Sequence, residues 1–279
     1  MNAPRLFPLV VTGFLQASLL AAEAPGPVIP PGSEKAKEAL DTSPRHGEYV
    51  DVAMPDGGKP IRTWVVYPER KDKAPVVIVI HEIFGLADWI RAVSDSLAAD
   101  GFIALAPDLL SGIGPGGGGT SSVTSRDDVV ALVRGLTPDK VAARLDAVRG
   151  YARKLPAASG KSATIGFCWG GAASFAYATV QPGLDAAVVY YGTSPDPSAL
   201  AGIKAPVLGL YGSDDARVNA TVPATEAEMK KLGKILETHT YEGAGHGFLR
   251  QQDGRDGANL KAAREAWPAT IAFLKKHTG

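Results

Sequence analysis

The stretch Thr164-Ile165-Gly166-Phe167-Cys168-Trp169-Gly170-Gly171 decides how the chain is read. Thr164–Phe167 has the apolar pattern of a short buried strand, and a helix pattern follows at Ala172–Val180. One glycine stands two positions before the cysteine and another two positions after it. This is the sulfur counterpart of G-x-S-x-G, in which a strand turns sharply into a helix with a reactive side chain at its tip. Such a turn crowds the backbone, leaving no room for a Cβ at those two flanking positions. The helix that opens there aims its N–H groups and positive dipole end at the sulfur, which favours thiolate. A free cysteine is by default a small buried hydrophobe. The strand, the glycines and the immediate helix together argue for a nucleophile.

Outward from this turn, strand and helix patterns alternate. Glu48–Ala53 and Ile61–Tyr67 flank the turn-rich Pro55-Asp56-Gly57-Gly58. Pro75–His81 and Phe102–Ala106 are apolar runs expected of strands buried on both faces, with a helix predicted over Asp88–Ala99 between them. Thr137-Pro138-Asp139 caps a helix running to Lys154, with Val141, Leu145 and Val148 on one stripe. Ala186–Tyr191, Val207–Tyr211 and Leu236–Tyr241 read as strands, and Ala224–Leu232 and Leu260–Lys276 as helices. The pattern predicts an α/β protein with a mostly parallel central sheet of about eight strands covered by helices on both faces. Sites in such sheets lie at the carboxyl ends of the strands.

A nucleophilic Cys168 needs a base and an orienting acid, in the chain order nucleophile, acid, histidine. Gly212-Ser213-Asp214-Asp215 follows the Val207–Tyr211 strand directly, and the G-x-x-D spacing selects Asp215, with Asp214 as its competitor. Gly245-His246-Gly247 follows the next strand, and its glycines leave His246 accessible on a loop. His46, His239 and His277 lie in a linker, a strand and the tail. His81-Glu82 begins like a zinc-binding H-E-x-x-H, but Gly85 stands where the second histidine belongs, so no metal site is expected.

Composition narrows the partners. Lys+Arg and Asp+Glu are balanced at 29 each, so no basic field exists to hold nucleic acid. One cysteine permits neither an intramolecular disulfide nor a Cys-rich metal site. Residues Leu6–Ala22 are nearly uncharged behind Arg5, the order of a secretory signal peptide rather than a membrane span. The expected organisation is a signal peptide at residues 1–22, a proline-rich linker at 23–46 and a single domain at 47–279. This implies a periplasmic or secreted protein without stable membrane insertion after cleavage. Monomer and homodimer are both compatible with the sequence.

From about Gly47 to the C-terminus the motifs resemble those of the dienelactone hydrolases, a cysteine-using branch of the α/β-hydrolase fold. The matching segments are Gly166–Gly171, His81-Glu82-Ile83-Phe84-Gly85-Leu86, Gly212–Val218 and Gly245-His246-Gly247-Phe248-Leu249-Arg250. The resemblance implies a Cys168–His246–Asp215 triad, a Glu82 that touches the resting thiol and helps generate thiolate, and an oxyanion hole from the Ile83 and Trp169 N–H groups. It implies a small-molecule ester or lactone substrate, an acyl-cysteine intermediate and no cofactor. Of the family's two substrate-binding arginines, one matches Arg250. The other should follow Asp108-Leu109-Leu110-Ser111, where this chain has Gly112, so half of the clamp is missing; Arg126 lies beyond the insertion, and nothing in the sequence shows it folding back.

Gly112–Thr120 contains G-x-G-x-x-G, but Pro115 interrupts it and no helix opens there, so a nucleotide is not expected. It reads as a flexible loop, passive or acting as a lid over the pocket. Competing functions for the same site are a broad carboxylesterase or thioesterase and a promiscuous phosphotriesterase. A non-catalytic hydrolase-fold binding protein is the further alternative.

Overall fold

The computed structural model describes Met1 and residues 27–279. The expected signal peptide and the first residues of the expected linker lie outside the described residues. The chain opens with α1 (Ala36–Thr42), then runs through β1 (Gly47–Val52), β2 (Ile61–Val66) and β3 (Ala74–Ile80). It continues as α2 (Asp88–Ala99), β4 (Ile103–Pro107), α3 (Arg126–Arg134) and α4 (Pro138–Ala152). The central turn joins β5 (Ala158–Phe167) to α5 (Trp169–Val180), followed by β6 (Ala186–Tyr190) and β7 (Val207–Asp214). The last elements are α6 (Ala216–Asn219), α7 (Val222–Lys231), β8 (Leu236–Gly245) and α8 (Ala258–Thr278).

Among the described residues the strands form one eight-stranded sheet in the order β1-β2-β4-β3-β5-β6-β7-β8. β1 and β2 enter antiparallel, and from β4 to β8 every pairing is parallel. All of β4 and all but one residue of β3 are buried, as their apolar runs require. Alternate side chains of β3 leave on opposite faces. Val77 and Val79 join α2 and α8 in one core, while Val76, Ile78 and Ile80 join α4 and α5 in the other. Each fully buried Val or Ile contributes roughly 1.5–3 kcal/mol. With both faces filled this way, the loops at the carboxyl ends of β3, β5, β7 and β8 open on one rim.

Three segments depart from the sequence expectation. The expected linker is packed against the domain from Pro30 on. Trp89 Nε1 donates to the Pro31 carbonyl (3.0 Å), Gln252 Nε2 to the Pro30 carbonyl (2.7 Å), and the Ser33 amide to the Arg250 carbonyl (2.9 Å). Arg45 grips Asp95 of α2 through two nitrogens (3.0 and 2.5 Å), and Ser43 Oγ adds a third bond (2.6 Å). A proline-rich strand has no internal hydrogen bonds, so its carbonyls are free to accept from the folded domain; composition does not disclose those donors.

Gly112–Thr120 is a stitched turn rather than a flexible loop. Gly114 and Gly118 bond to each other's segment (Gly114 N–H to the Gly118 carbonyl, 3.0 Å), and the buried Asp108 carboxylate takes the Thr120 amide and hydroxyl, both at 2.7 Å. A Cβ at Gly119 would collide with that carboxylate, which explains one glycine of the run. The turn delivers the chain into α3, a helix the sequence reading did not anticipate. Ser125 caps it by accepting from the Asp128 amide (3.4 Å), and Val129 and Val133 are its buried pair.

Candidate active site

Cys168 sits at the β5–α5 junction with φ 56° and ψ −116°, a left-handed conformation that an L-residue holds at a cost of about 1–3 kcal/mol. Its amide donates to the Tyr190 carbonyl (3.0 Å), tying the turn to β6. The flanking glycines are required by close approach. A Cβ on Gly166 would strike the Gly170 carbonyl, and one on Gly170 would strike the carbonyls of Ile80 and His81. The loop after β3 therefore lies directly against the turn that holds the thiol.

His246 follows the last residue of β8, and Asp215 follows β7. His246 Nδ1 donates to Asp215 Oδ2 at 2.5 Å, and Asp215 is 8% exposed while its neighbour Asp214 faces solvent. Asp214 pairs with Arg255 instead. The histidine loop is held rather than loose. Asn259 at the start of α8 accepts from the Gly245 amide (3.0 Å) and donates to the Gln251 carbonyl (2.7 Å). His246 and Cys168 are not hydrogen-bonded to each other in this structure.

Glu82 acts on the charge of the thiol. Burial, followed by the Glu82 carboxylate, pushes the Cys168 thiol up to about 11, and the Trp169 amide, turned toward the sulfur, pulls it back. Burial pushes the Glu82 carboxyl up to about 7 against the pull of Arg250. Arg250 Nε lies 2.7 Å from Glu82 Oε2, yet its N–H is not aligned on any acceptor among the described residues, so the contact is a close ion pair rather than a directed hydrogen bond. Glu82 is thus paired with Arg250 where a contact with the thiol is expected, and it acts on the sulfur through its field.

Arg126, at the first turn of α3, folds back onto this site. Its guanidinium lies 4.0 Å from the centre of the Phe84 ring, and that of Arg250 lies 5.3 Å from the same ring. A cavity of about 490 Å³ beside them is lined by Glu82, Phe84, Trp89, Arg126, Arg250 and Ser33. Arg126, Arg250, the buried Glu82 and the more exposed Asp88 thus share one cavity, whose lining does not include Cys168, His246 or Asp215. A second cavity, about 360 Å³ and apolar, lies between α4 and α5 and meets the candidate residues only at Trp169. The first is the better candidate pocket because its lining includes Glu82, whose carboxylate acts on the Cys168 thiol, and both arginines.

Two residues at the site carry no signal in the sequence. Tyr191, just past β6, has φ 39°, packs its ring 5.2 Å from that of His246, and has a buried hydroxyl without a hydrogen-bond partner among the described residues. Strained non-glycine backbone concentrates at functional sites. Asn259 is the other, since nothing local marks a helix residue as the support of a distant loop. Among the described residues no group of three or more His, Cys, Asp or Glu could hold a metal, and no helix is long and apolar enough to cross a membrane.

Comparison with known proteins places the chain in a family. The sequence model of the dienelactone hydrolase family matches residues 61–278. A candidate carboxymethylenebutenolidase of Saccharolobus solfataricus is 34% identical over 79% of this chain and 95% of its own. The carboxymethylenebutenolidase of Pseudomonas putida is 31% identical over 64% of this chain and 77% of its own. Among solved structures, a dienelactone hydrolase-like promiscuous phosphotriesterase from metagenomic libraries superposes with a TM-score of 0.72 at 25% identity, over 84% of this chain and 99% of that one. With a family match spanning most of the chain, a sheet order to go with it and the motifs gathered on one rim, this protein belongs to the dienelactone hydrolase family.

Proposed function

We propose that the protein hydrolyses an ester or lactone bond through an acyl-cysteine on Cys168. The observation that carries this reading is the Asp215–His246 pair at 2.5 Å on the same rim of the sheet as a thiol on a strained turn. His246 Nε2 takes the thiol proton, and Asp215 holds Nδ1–H and balances the imidazolium. The thiolate attacks the carbonyl carbon, a C–S bond forms, and the π pair moves to oxygen. The amides of Ile83 and Trp169 receive that oxyanion. Collapse expels the alkoxide, which takes the proton from His246 and, in a lactone, stays attached as the opened ring. Water, deprotonated by His246, then attacks the thioester and frees the acid. Acid-quenched mass spectrometry during turnover of p-nitrophenyl acetate should find one acetyl group on the Cys168 peptide. Turnover with acetyl absent from that peptide would contradict the mechanism.

The cavity supports an anionic substrate. Arg126 takes the place of the arginine missing at Gly112, and a substrate carboxylate between Arg126 and Arg250 competes with Glu82 for Arg250. Charge-assisted hydrogen bonds contribute about 1.5–3 kcal/mol. Arg126→Ala should therefore raise KM for a carboxylate-bearing lactone by about tenfold or more while leaving KM for p-nitrophenyl acetate within about twofold. Equal changes for both substrates would remove Arg126 from recognition. Phosphotriester cleavage is a second reading, favoured by the structural likeness to the promiscuous phosphotriesterase, because its transition state also gathers charge on an oxygen. The charge pattern of the N-terminal residues supports export to the periplasm or beyond, and the single domain is expected to act on a small molecule without nucleic acid.

A further inference from the structure

His81 directly follows β3 at the start of the oxyanion loop, is fully buried, and plays no part in the reaction described above. Its two ring nitrogens have different partners. Nδ1 lies 2.7 Å from the Glu82 carbonyl oxygen, and Nε2 receives the Leu109 amide at 3.3 Å. A carbonyl only accepts and an amide N–H only donates, so these contacts specify one neutral tautomer, with the proton on Nδ1. Burial also pulls the imidazole below its ordinary range, which keeps it neutral. The ring stacks on the Trp169 indole, with centroids 5.6 Å apart and planes 17° from parallel.

The Glu82 carbonyl and the Ile83 N–H are two ends of one planar peptide unit. A hydrogen bond to the oxygen end orients the plane and polarises the N–H end. That N–H makes no hydrogen bond among the described residues. The Gly85 amide holds the same carbonyl from the turn side at 3.2 Å, the longer of its two bonds. We infer that His81 is a positioning residue for the oxyanion hole: its Nδ1–H aims and strengthens the Ile83 donor, while its ring braces the residue that carries the second donor. This rests on the reading of Ile83 and Trp169 as oxyanion donors to an acylating Cys168.

The two amide side chains separate the ring nitrogens. In His81→Asn the amide nitrogen takes the place of Nδ1 and can still donate to the Glu82 carbonyl. In His81→Gln the amide reaches the place of Nε2, keeping a partner for Leu109 and leaving the carbonyl without its donor. Two rates are measured on each purified variant: kcat for p-nitrophenyl acetate, and alkylation of Cys168 by iodoacetamide, a displacement at carbon that forms no oxyanion. Loss of an oxyanion donor costs about 10²–10³ in kcat, so its misalignment should cost about tenfold or more. The expected result is a kcat at least about tenfold lower in His81→Gln, little changed in His81→Asn, with KM and alkylation within about threefold in both. Equal kcat in the two variants, or alkylation falling in step with kcat, would overturn the inference. Cys168→Ala run in parallel keeps the two readings apart. If that variant still turns over, the thiol mechanism fails; if it is inert and His81→Gln keeps wild-type kcat, only the role of His81 fails.

Discussion

Cys168→Ala should be inert: kcat for p-nitrophenyl acetate falls by about 10⁴-fold or more, the scale seen when an enzyme loses its nucleophile. What remains is water attacking a carbonyl held by the oxyanion amides, because the substitution leaves Ile83, Trp169, His246 and Asp215 in place. The fold should survive. Alanine meets the same left-handed φ of 56° as cysteine does, so the strain of the turn is unchanged. It also removes only a partly exposed sulfur. The unfolding temperature is therefore expected to stay within a few degrees, and the loss of rate can be assigned to chemistry rather than to collapse. A variant that retains near-native kcat would exclude the acyl-cysteine and leave this family member with another nucleophile.

Glu82→Gln should move thiol reactivity the other way. The Glu82 carboxylate is the second cause, after burial, that holds the Cys168 thiol near 11. An uncharged amide of the same shape removes that repulsion, the thiol titrates lower, and more thiolate exists at any pH below 11. One pKa unit is a tenfold change in thiolate, so iodoacetamide alkylation at pH 8.5 should rise by about tenfold. The difference between variant and wild type should shrink below pH 7, where Glu82 is itself protonated. Stability gives an independent sign. The folded-state value of about 7 exceeds the ordinary 4.5, so this group's contribution is fully present below pH 4.5 and is lost as pH rises through 7. Wild type should lose unfolding temperature between pH 5 and pH 8 relative to Glu82→Gln. Slower alkylation in the variant, or parallel pH curves, would contradict this account.

How much of the site was legible depended on how local each cause is. The turn around Cys168 could be read because the G-x-C-x-G spacing is local and Gly166 answers to a collision with Gly170 inside the same turn. The backbone that crowds Gly170, by contrast, belongs to the distant Ile80 and His81. An acid after β7 could be read because it directly follows an apolar strand, and His246 because it stands between glycines just after the last strand pattern. The choice between Asp214 and Asp215 rested on spacing alone, and the structure distinguishes them by burial and partner. Tyr191 looked like the end of a strand, because nothing in a Tyr-Tyr-Gly sequence reports a φ of 39°. Gly112–Thr120 looked loose because glycine runs usually are. Its order comes from Asp108, whose reach across twelve residues to Thr120 has no periodic signature.

The amino-acid sequence alone therefore determined the alternation of elements, the sheet they must build and the thiol at its sharpest turn, since hydrophobic period and steric crowding act between neighbours in the chain. Only the tertiary structure decided that Ser33 of the N-terminal arm lines the cavity, that Arg126 returns over Phe84 into the same cavity, and that His81 Nδ1 meets the Glu82 carbonyl. Those contacts depend on which free carbonyl, ring face or peptide end the folded chain presents. That is a property of packed surfaces, and no residue carries it by itself.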